Sequence, residues 1–208
     1  MLARRSVFEI GEDAMPRLHP IDDRKATGTQ RLLIETARLN GAPDPLCASI
    51  YVRSEAGRNW LRHWNELLNG GILPIPLKEM VRVYISMKHF CGYCSTVRSN
   101  VAKAQGLTED KLMAVSEFET SPLFDSRERA ALRFAHRFKS GDDAIDSDAV
   151  YDDLKANFTE EEIIELALVC AETDGVGKFA RSLQMRSWDE ACQIQPKLRA
   201  HKLGAAAE

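Results

Sequence analysis

Two segments of this chain open with the same reciprocal helix-start signature, Asp125-Ser126-Arg127-Glu128 and Thr159-Glu160-Glu161-Glu162. In each, a short polar side chain can accept from the backbone N–H three residues on, while the acid at that third position reaches back to the first residue's N–H. Apolar residues then recur at helical spacing: Leu132, Phe134, Ala135 and Phe138 after the first, and Ile163, Leu166, Val169 and Cys170 after the second. No stretch of comparable strength reads as a strand. Val81-Arg82-Val83-Tyr84-Ile85 is β-rich, but its flanking punctuation and length favour helix.

The remaining punctuation agrees. Arg31 to Leu39 is helical in pattern, and Gly41-Ala42-Pro43-Asp44-Pro45 stops it, because prolines cannot occupy a helix interior. Leu46 to Leu68 reads as helix, in one piece or broken near Gly57, and Asn69-Gly70-Gly71 ends it. Pro76 suits the first turn of a helix running through Glu79, Tyr84 and Met87. A further helix is expected from Cys91 to about Gln105, stopped at Gly106, then one from Thr108 through Val115 and one over Val150 to Phe158. The last long helix is expected to be interrupted at Asp174-Gly175-Val176-Gly177 and to resume from Lys178 to about Met185. The fold class is therefore all-α, a bundle of about eight helices. The expected organisation is an arm over 1–25, a helical domain over 26–190 and a polar tail over 191–208.

Composition removes several functions. The 208 residues carry 28 Lys plus Arg against 31 Asp plus Glu, a net charge of -3 that recommends neither nucleic acid nor an anionic membrane as partner. No apolar run is long enough to span a bilayer. Glu9, Glu12 and Asp13 follow the basic start before an apolar stretch develops, unlike a secretory or transit leader. Five cysteines at uneven spacing are not a secreted disulfide framework, so the chain reads as cytoplasmic. Cys170 reads as core, and Cys47 and Cys192 receive no role.

Cys91-Gly92-Tyr93-Cys94 is the chemically informative motif. Two thiols one helical turn apart can exchange electrons as a pair. Near a helix start, unpaired N–H groups favour a thiolate over a thiol whose ordinary pKa is about 8.5. On a continuous helix Cys91, Cys94, Val97 or Arg98, and Val101 share a face, which brings the fixed charge of Arg98 beside Cys94. Glu79 lies twelve residues before Cys91, about 18 Å along a straight helix, so it can meet the thiols only if the chain turns sharply near His89 to Gly92. That break is expected, and with it Glu79 could handle a proton. The same pair could instead be half of a zinc site with His89 near, or plain core; zinc needs two further ligands that Cys170 and Cys192 do not supply as a matched pair. Glu79 also fits a first-turn carboxylate favouring the helix dipole. His63 reads as helix surface or a core edge, His136 as part of a solvated face, and Tyr93 as packing or as a hydroxyl that touches the site.

Glu79 followed by Cys91-Gly92-Tyr93-Cys94 resembles the alkylhydroperoxidase D-like (AhpD-like) members of the carboxymuconolactone decarboxylase family. Asn69-Gly70-Gly71-Ile72-Leu73 is similar to that family's approach to the site. Ser126 to Leu132 and Phe158 to Ala167 are similar to its second half, as in peroxidase-related proteins. The resemblance covers about residues 25 to 190. It implies a helical oligomer (dimer, trimer or hexamer) and a thiol peroxidase of peroxiredoxin type acting on hydroperoxides. It also implies Cys94 as attacking thiolate, Cys91 as resolving thiol and Glu79 in a proton relay. No metal, haem or flavin cofactor is implied, and a lipoylated or thioredoxin-like dithiol donor would restore the pair. Where the family's peroxidases carry His between the cysteines and four residues after the second, this chain has Tyr93 and Arg98. Arginine stabilises an anion but does not shuttle protons near neutral pH, so His89 is the candidate substitute. The alternatives are a disulfide reductase or redox sensor with the same pair, a lactone decarboxylase, or a non-enzymatic oligomer.

Overall fold

The computed structural model describes residues 16–200 apart from positions 23, 42–43 and 141–143. Among the described residues every regular element is helical: α1 Gly28–Thr36, α2 Leu46–Tyr51, α3 Glu55–Asn69, α4 Ile75–Lys88, α5 Gly92–Thr96, α6 Asn100–Ala104, α7 Glu109–Met113, α8 Ser126–Ser140, α9 Asp148–Lys155, α10 Glu160–Ser182 and α11 Trp188–Ile194. A π-turn over Ala37–Gly41 follows α1, and a 3₁₀ turn over Ala114–Glu117 follows α7. The all-α expectation holds. The number of helices exceeds the expected eight because segments read as single helices are divided.

The expected helix starts are present. Asp125 Oδ1 accepts from Glu128 N at 2.8 Å, and Glu128 Oε2 accepts from Asp125 N at 3.0 Å. Thr159 and Glu162 cap α10 in the same reciprocal way, and Thr27 with Gln30 does so for α1. Thr108 accepts from Lys111 N at the start of α7.

α4 is the axis of the molecule. Leu77 through Met87 are all buried, so the helix is enclosed on every side by α10, α8, α3, α5 and α6. The main core gathers around it, with Val81, Val83 and Ile85 against Leu132, Leu166 and Val169.

Four expectations are corrected. The Leu46 to Leu68 segment breaks at Val52 to Ser54, before Gly57, where Ser54 caps α3. The helix expected from Cys91 to Gln105 stops at Thr96, and a new one starts at Asn100. α10 runs unbroken through Gly175 and Gly177; a Cβ on Gly177 would lie 2.7 Å from the His89 ring, so this glycine serves close packing rather than a turn. The domain also continues past 190, since Ala191, Cys192 and Leu198 are in the main core. At the other end, Arg17 N and Ile21 N bond to Leu183 and Ser49 carbonyls, so the described part of the arm lies against the domain. No described helix is long and apolar enough to cross a membrane.

Candidate active site

The chain turns sharply where Glu79 requires it to. α4 ends at Lys88, Phe90 takes a left-handed backbone (φ 52°), and α5 begins at Gly92. A Cβ on Gly92 would lie 2.3 Å from Ser187 O and 2.6 Å from Arg186 O, so only glycine lets α5 sit against the start of α11. Cys91 is the N-cap of α5 and its Sγ accepts from Cys94 N at 3.2 Å. The two cysteines are joined as a disulfide, with Cα atoms 5.3 Å apart. They share a small apolar cluster with Leu46, Ile50, Ala180 and Leu183.

Glu79 and Arg82, one turn apart on α4, are both buried and pair through two bonds: Nε to Oε2 at 2.6 Å and Nη2 to Oε1 at 2.8 Å. Ser99 N also donates to Glu79 Oε1 at 2.8 Å. The remaining donors of Arg82 reach the Cys94 carbonyl at 2.9 Å and the Val97 carbonyl at 2.7 Å. Burial opposes the charge on Arg82, but the Glu79 carboxylate more than offsets this and holds its pKa above the ordinary value. This fork explains the break after Thr96. Capture of the Val97 carbonyl and the Ser99 amide withdraws both from a helical ladder, and Ser99 Oγ then caps α6. Glu79 thus accepts from three donors, two on Arg82 and the Ser99 amide, and is held in place by them.

A cavity of about 130 Å³ opens beside the pair. Cys94 lines it and Cys91 does not. Leu33, Leu61, Trp60 and Trp64 make its apolar wall, with Glu79 and Arg82 also facing it. The aromatic wall is stacked: Tyr51 on Trp60 at 4.7 Å and Trp60 on Trp64 at 5.1 Å between ring centres, with Trp60 Nε1 donating to Glu172 at 2.6 Å. Thr173 lines the cavity from α10, and its hydroxyl has no hydrogen-bond partner.

Residues 54–137 match the carboxymuconolactone decarboxylase family. The uncharacterised protein YnjA of Escherichia coli (strain K12) is 32% identical over 135 residues, covering 64% of this chain and 72% of that protein. The chain belongs to the carboxymuconolactone decarboxylase family. Solved structures share its fold. The debrominase Bmp8 superposes with a TM-score of 0.72 at 20% identity, over 86% of this chain and 96% of its own. A cysteine-to-alanine form of Bmp8 with 2,3,4-tribromopyrrole gives 0.69 at 21%, over 90% and 96%. The alkylhydroperoxidase AhpD core of a peroxidase-related protein from Ralstonia eutropha JMP134 gives 0.66 at 19%, over 85% and 94%.

In this carboxymuconolactone decarboxylase family member, Cys91, Cys94 and Glu79 come together and Arg98 does not join them. Arg98 pairs with Glu109 through two bonds of 2.9 Å, donates to the Ser95 and Val97 carbonyls, and does not line the cavity. The interrupted helix removes the shared face that the sequence predicted. His89 sits at the far end of α4, its Nε2 2.9 Å from Asp174 Oδ1, and does not line the cavity. Tyr93 is more than packing: its hydroxyl donates to Asp44 O at 2.8 Å and accepts from Cys47 N at 3.2 Å, tying α5 to the start of α2. Cys47 lines the cavity, but burial and then Asp44 push its thiol up to about 12, so it stays protonated. His63 is exposed and lies 3.7 Å from Glu172; exposed His136 meets the Tyr84 hydroxyl at 2.7 Å. Among the described residues no group of three or more His, Cys, Asp or Glu converges as a metal site would require.

Arg82 and the tryptophan wall were missed in the sequence. Arg82 had a signal: a cation within Met80-Val81-Arg82-Val83-Tyr84-Ile85, buried on all sides, needs a partner, and Glu79 stands at the favoured i,i+3 spacing. Trp60 and Trp64 showed helical spacing, but nothing local distinguishes a cavity wall from a core stripe.

Proposed function

We propose that this protein is a dithiol oxidoreductase that reduces organic hydroperoxides with a compact apolar body, with Cys94 as nucleophile and Cys91 as resolving thiol. The carrying observation is that Cys94, and not its partner, faces the apolar cavity. An apolar space of about 150 Å³ is enough for benzene, so about 130 Å³ suits a single ring or short branched chain and excludes a fatty acyl chain. The Cys94 thiolate attacks the terminal peroxide oxygen and the O–O bond breaks. The alkoxide takes a proton from water and leaves as the alcohol, and Cys94 becomes a sulfenic acid. The Cys91 thiol gives up its proton as it attacks that sulfur, the S–O bond breaks, the departing hydroxide takes that proton and leaves as water, and the disulfide forms. An external dithiol of lipoyl or thioredoxin type, available in a reducing compartment such as the cytoplasm, then restores both thiols by exchange. Glu79 acts through Arg82 as a positioning residue, fixing the Cys94 carbonyl and so the thiol.

The aromatic wall and the likeness to a debrominase favour a second reading with the same thiols, reductive removal of halogen from a small ring. The thiolate would take the halogen, the ring carbanion would gain a proton, and Cys91 would displace halide to form the disulfide.

Both readings are tested by following dithiothreitol-dependent turnover of cumene hydroperoxide, a fatty acid hydroperoxide and 2,3,4-tribromopyrrole. Cumene hydroperoxide should turn over at least about 10-fold faster than the fatty acid hydroperoxide, and Cys94→Ser should abolish it. Cys91→Ser should give one turnover and a trappable sulfenic acid. Debromination without peroxide loss would select the second reading, and inertness toward all three would overturn both.

A further inference from the structure

We propose that Thr173 is the polar anchor of the cavity beside Cys94, and that the ring it selects carries a hydroxyl, as a phenol does. This narrows the compact apolar body of the substrate to a hydroxyaryl ring, and so rests on the same cavity receiving the substrate.

Thr173 is 1% exposed and lines the cavity from α10, and its hydroxyl has no partner within the protein. The other buried polar groups there are engaged. Lys78 Nζ donates to Glu165 and to two carbonyls. Glu79 and Arg82 hold each other. The Tyr93 hydroxyl donates to the Asp44 carbonyl. Ser86 Oγ returns to the Arg82 carbonyl one turn back at 2.7 Å, a common resort of a hydroxyl inside a helix. Thr173 makes no such bond. A buried hydroxyl left unpaired is costly, whereas valine, with the same branched shape, carries no such cost. Threonine is accounted for here if a ligand supplies the partner.

The surroundings say what that ligand is. Glu172, the preceding residue of α10, holds the Trp60 indole through a 2.6 Å bond. One turn of α10 thus fixes the aromatic wall and supplies the hydroxyl. Trp60 and Trp64 suit the face of an aromatic ring. Val176, Leu33 and Leu61 also line the space and offer no side-chain hydrogen bond. A ring with one hydroxyl matches this set, because its apolar body meets tryptophan and leucine while its hydroxyl meets Thr173. A charged group does not match, because Thr173 is neutral and the charges of Glu79 and Arg82 are already spent on each other. One convergent polar contact in an apolar pocket is what orients a small ligand. A ring without the hydroxyl leaves Thr173 unpaired and loses that discrimination.

The disulfide form of the full chain is titrated with phenol and with toluene, which differ only in a hydroxyl for a methyl, and binding is read by isothermal calorimetry. Wild type should bind phenol about 10-fold tighter than toluene, the size expected of one neutral hydrogen bond made in an apolar cavity. Thr173→Val should lower that ratio at least about 10-fold, and Thr173→Ser, which keeps the hydroxyl, should hold it within about 3-fold of wild type. Thr173→Val should also melt no lower than wild type, since it removes an unpaired polar group without changing the branched shape. Equal binding of the two compounds by wild type, binding of neither, or a preference for phenol that survives Thr173→Val would overturn the proposal. So would a melting temperature of Thr173→Val lowered by more than about 4 °C, which would assign the hydroxyl to the fold. No peroxide or reductant is present, so a protein inert in turnover can pass this test and an active one can fail it.

Discussion

Lys78 and Glu79 are neighbours on α4, and each forms a buried ion pair, yet the two pairs do different work. Lys78 reaches across 87 positions of sequence to Glu165 at 2.7 Å and donates to the Leu67 and Gly70 carbonyls, so it locks the end of α3 to α10. Glu79 reaches one turn along its own helix to Arg82, and Arg82 uses its remaining donors on the Cys94 and Val97 carbonyls. The first pair fixes how distant elements meet. The second fixes a few backbone atoms around a reactive sulfur. Burial is alike in both; what separates them is where the surplus hydrogen bonds go.

The comparison breaks first at Glu165. Glu165→Ala leaves the Lys78 ammonium buried without its counter-charge, which costs about 3–5 kcal/mol. Urea unfolding should show that loss, while turnover per folded molecule stays within about twofold. A large fall in turnover at unchanged stability would mean that both pairs serve the site. The opposite pattern is expected for Arg82→Lys. Lysine keeps the charge but lacks the planar fork, so it cannot hold Glu79 and two carbonyls together. A displaced nucleophile loses up to about 100-fold in rate, so kcat should fall by about that factor with a stability loss near 1 kcal/mol. Equal rates in wild type and Arg82→Lys would remove the positioning role.

The far end of α4 supplies a contrast in pH. His89 is enclosed beside Asp174, and burial, with repulsion from Lys139 and Lys178, lowers its pKa from 6.5 to about 4, the Asp174 carboxylate only partly opposing this. The folded protein thus refuses a proton that the unfolded chain accepts below pH 6.5. The stability this provides is complete above 6.5 and is lost as pH falls toward 4, on the order of 2 kcal/mol. Melting temperatures between pH 7 and 4 should decline, and His89→Gln should flatten that decline.

Local grammar was legible in the sequence and remote capture was not. Asp125, Thr159 and Thr108 announce their helices because a cap and its target lie within four residues. The turn near His89 was legible too, from the requirement that Glu79 approach the cysteines. The break at Val97 was not, because its cause is Arg82, fifteen residues upstream and folded back from another helix. Gly177 misled for the same reason: it resembles a helix break in sequence, and the His89 ring that explains it lies far away in the chain. The face shared by Cys94 and Arg98 failed with the helix that was to carry it.

Arg98 therefore gives the smallest effect and the sharpest check on this division. Its guanidinium pairs with Glu109, which is substantially exposed, and donates to the Ser95 and Val97 carbonyls, and Arg98 itself does not line the cavity. Glu109 in turn holds a pKa below the ordinary carboxylate range; burial opposes this, and the Arg98 bonds and charge outweigh it. An ion pair this open to water contributes about 0–1 kcal/mol, so Arg98→Ala should destabilise by no more than that. Because the charge faces Glu109, removing it should leave the alkylation rate of reduced Cys94 within about twofold of wild type across pH 6 to 9. Arg98→His should behave the same way, since an imidazole at that place would lie outside the cavity. A rate that rises 10-fold with histidine would mean that residue 98 turns toward the thiols once the disulfide opens, and that α5 and α6 rearrange during turnover.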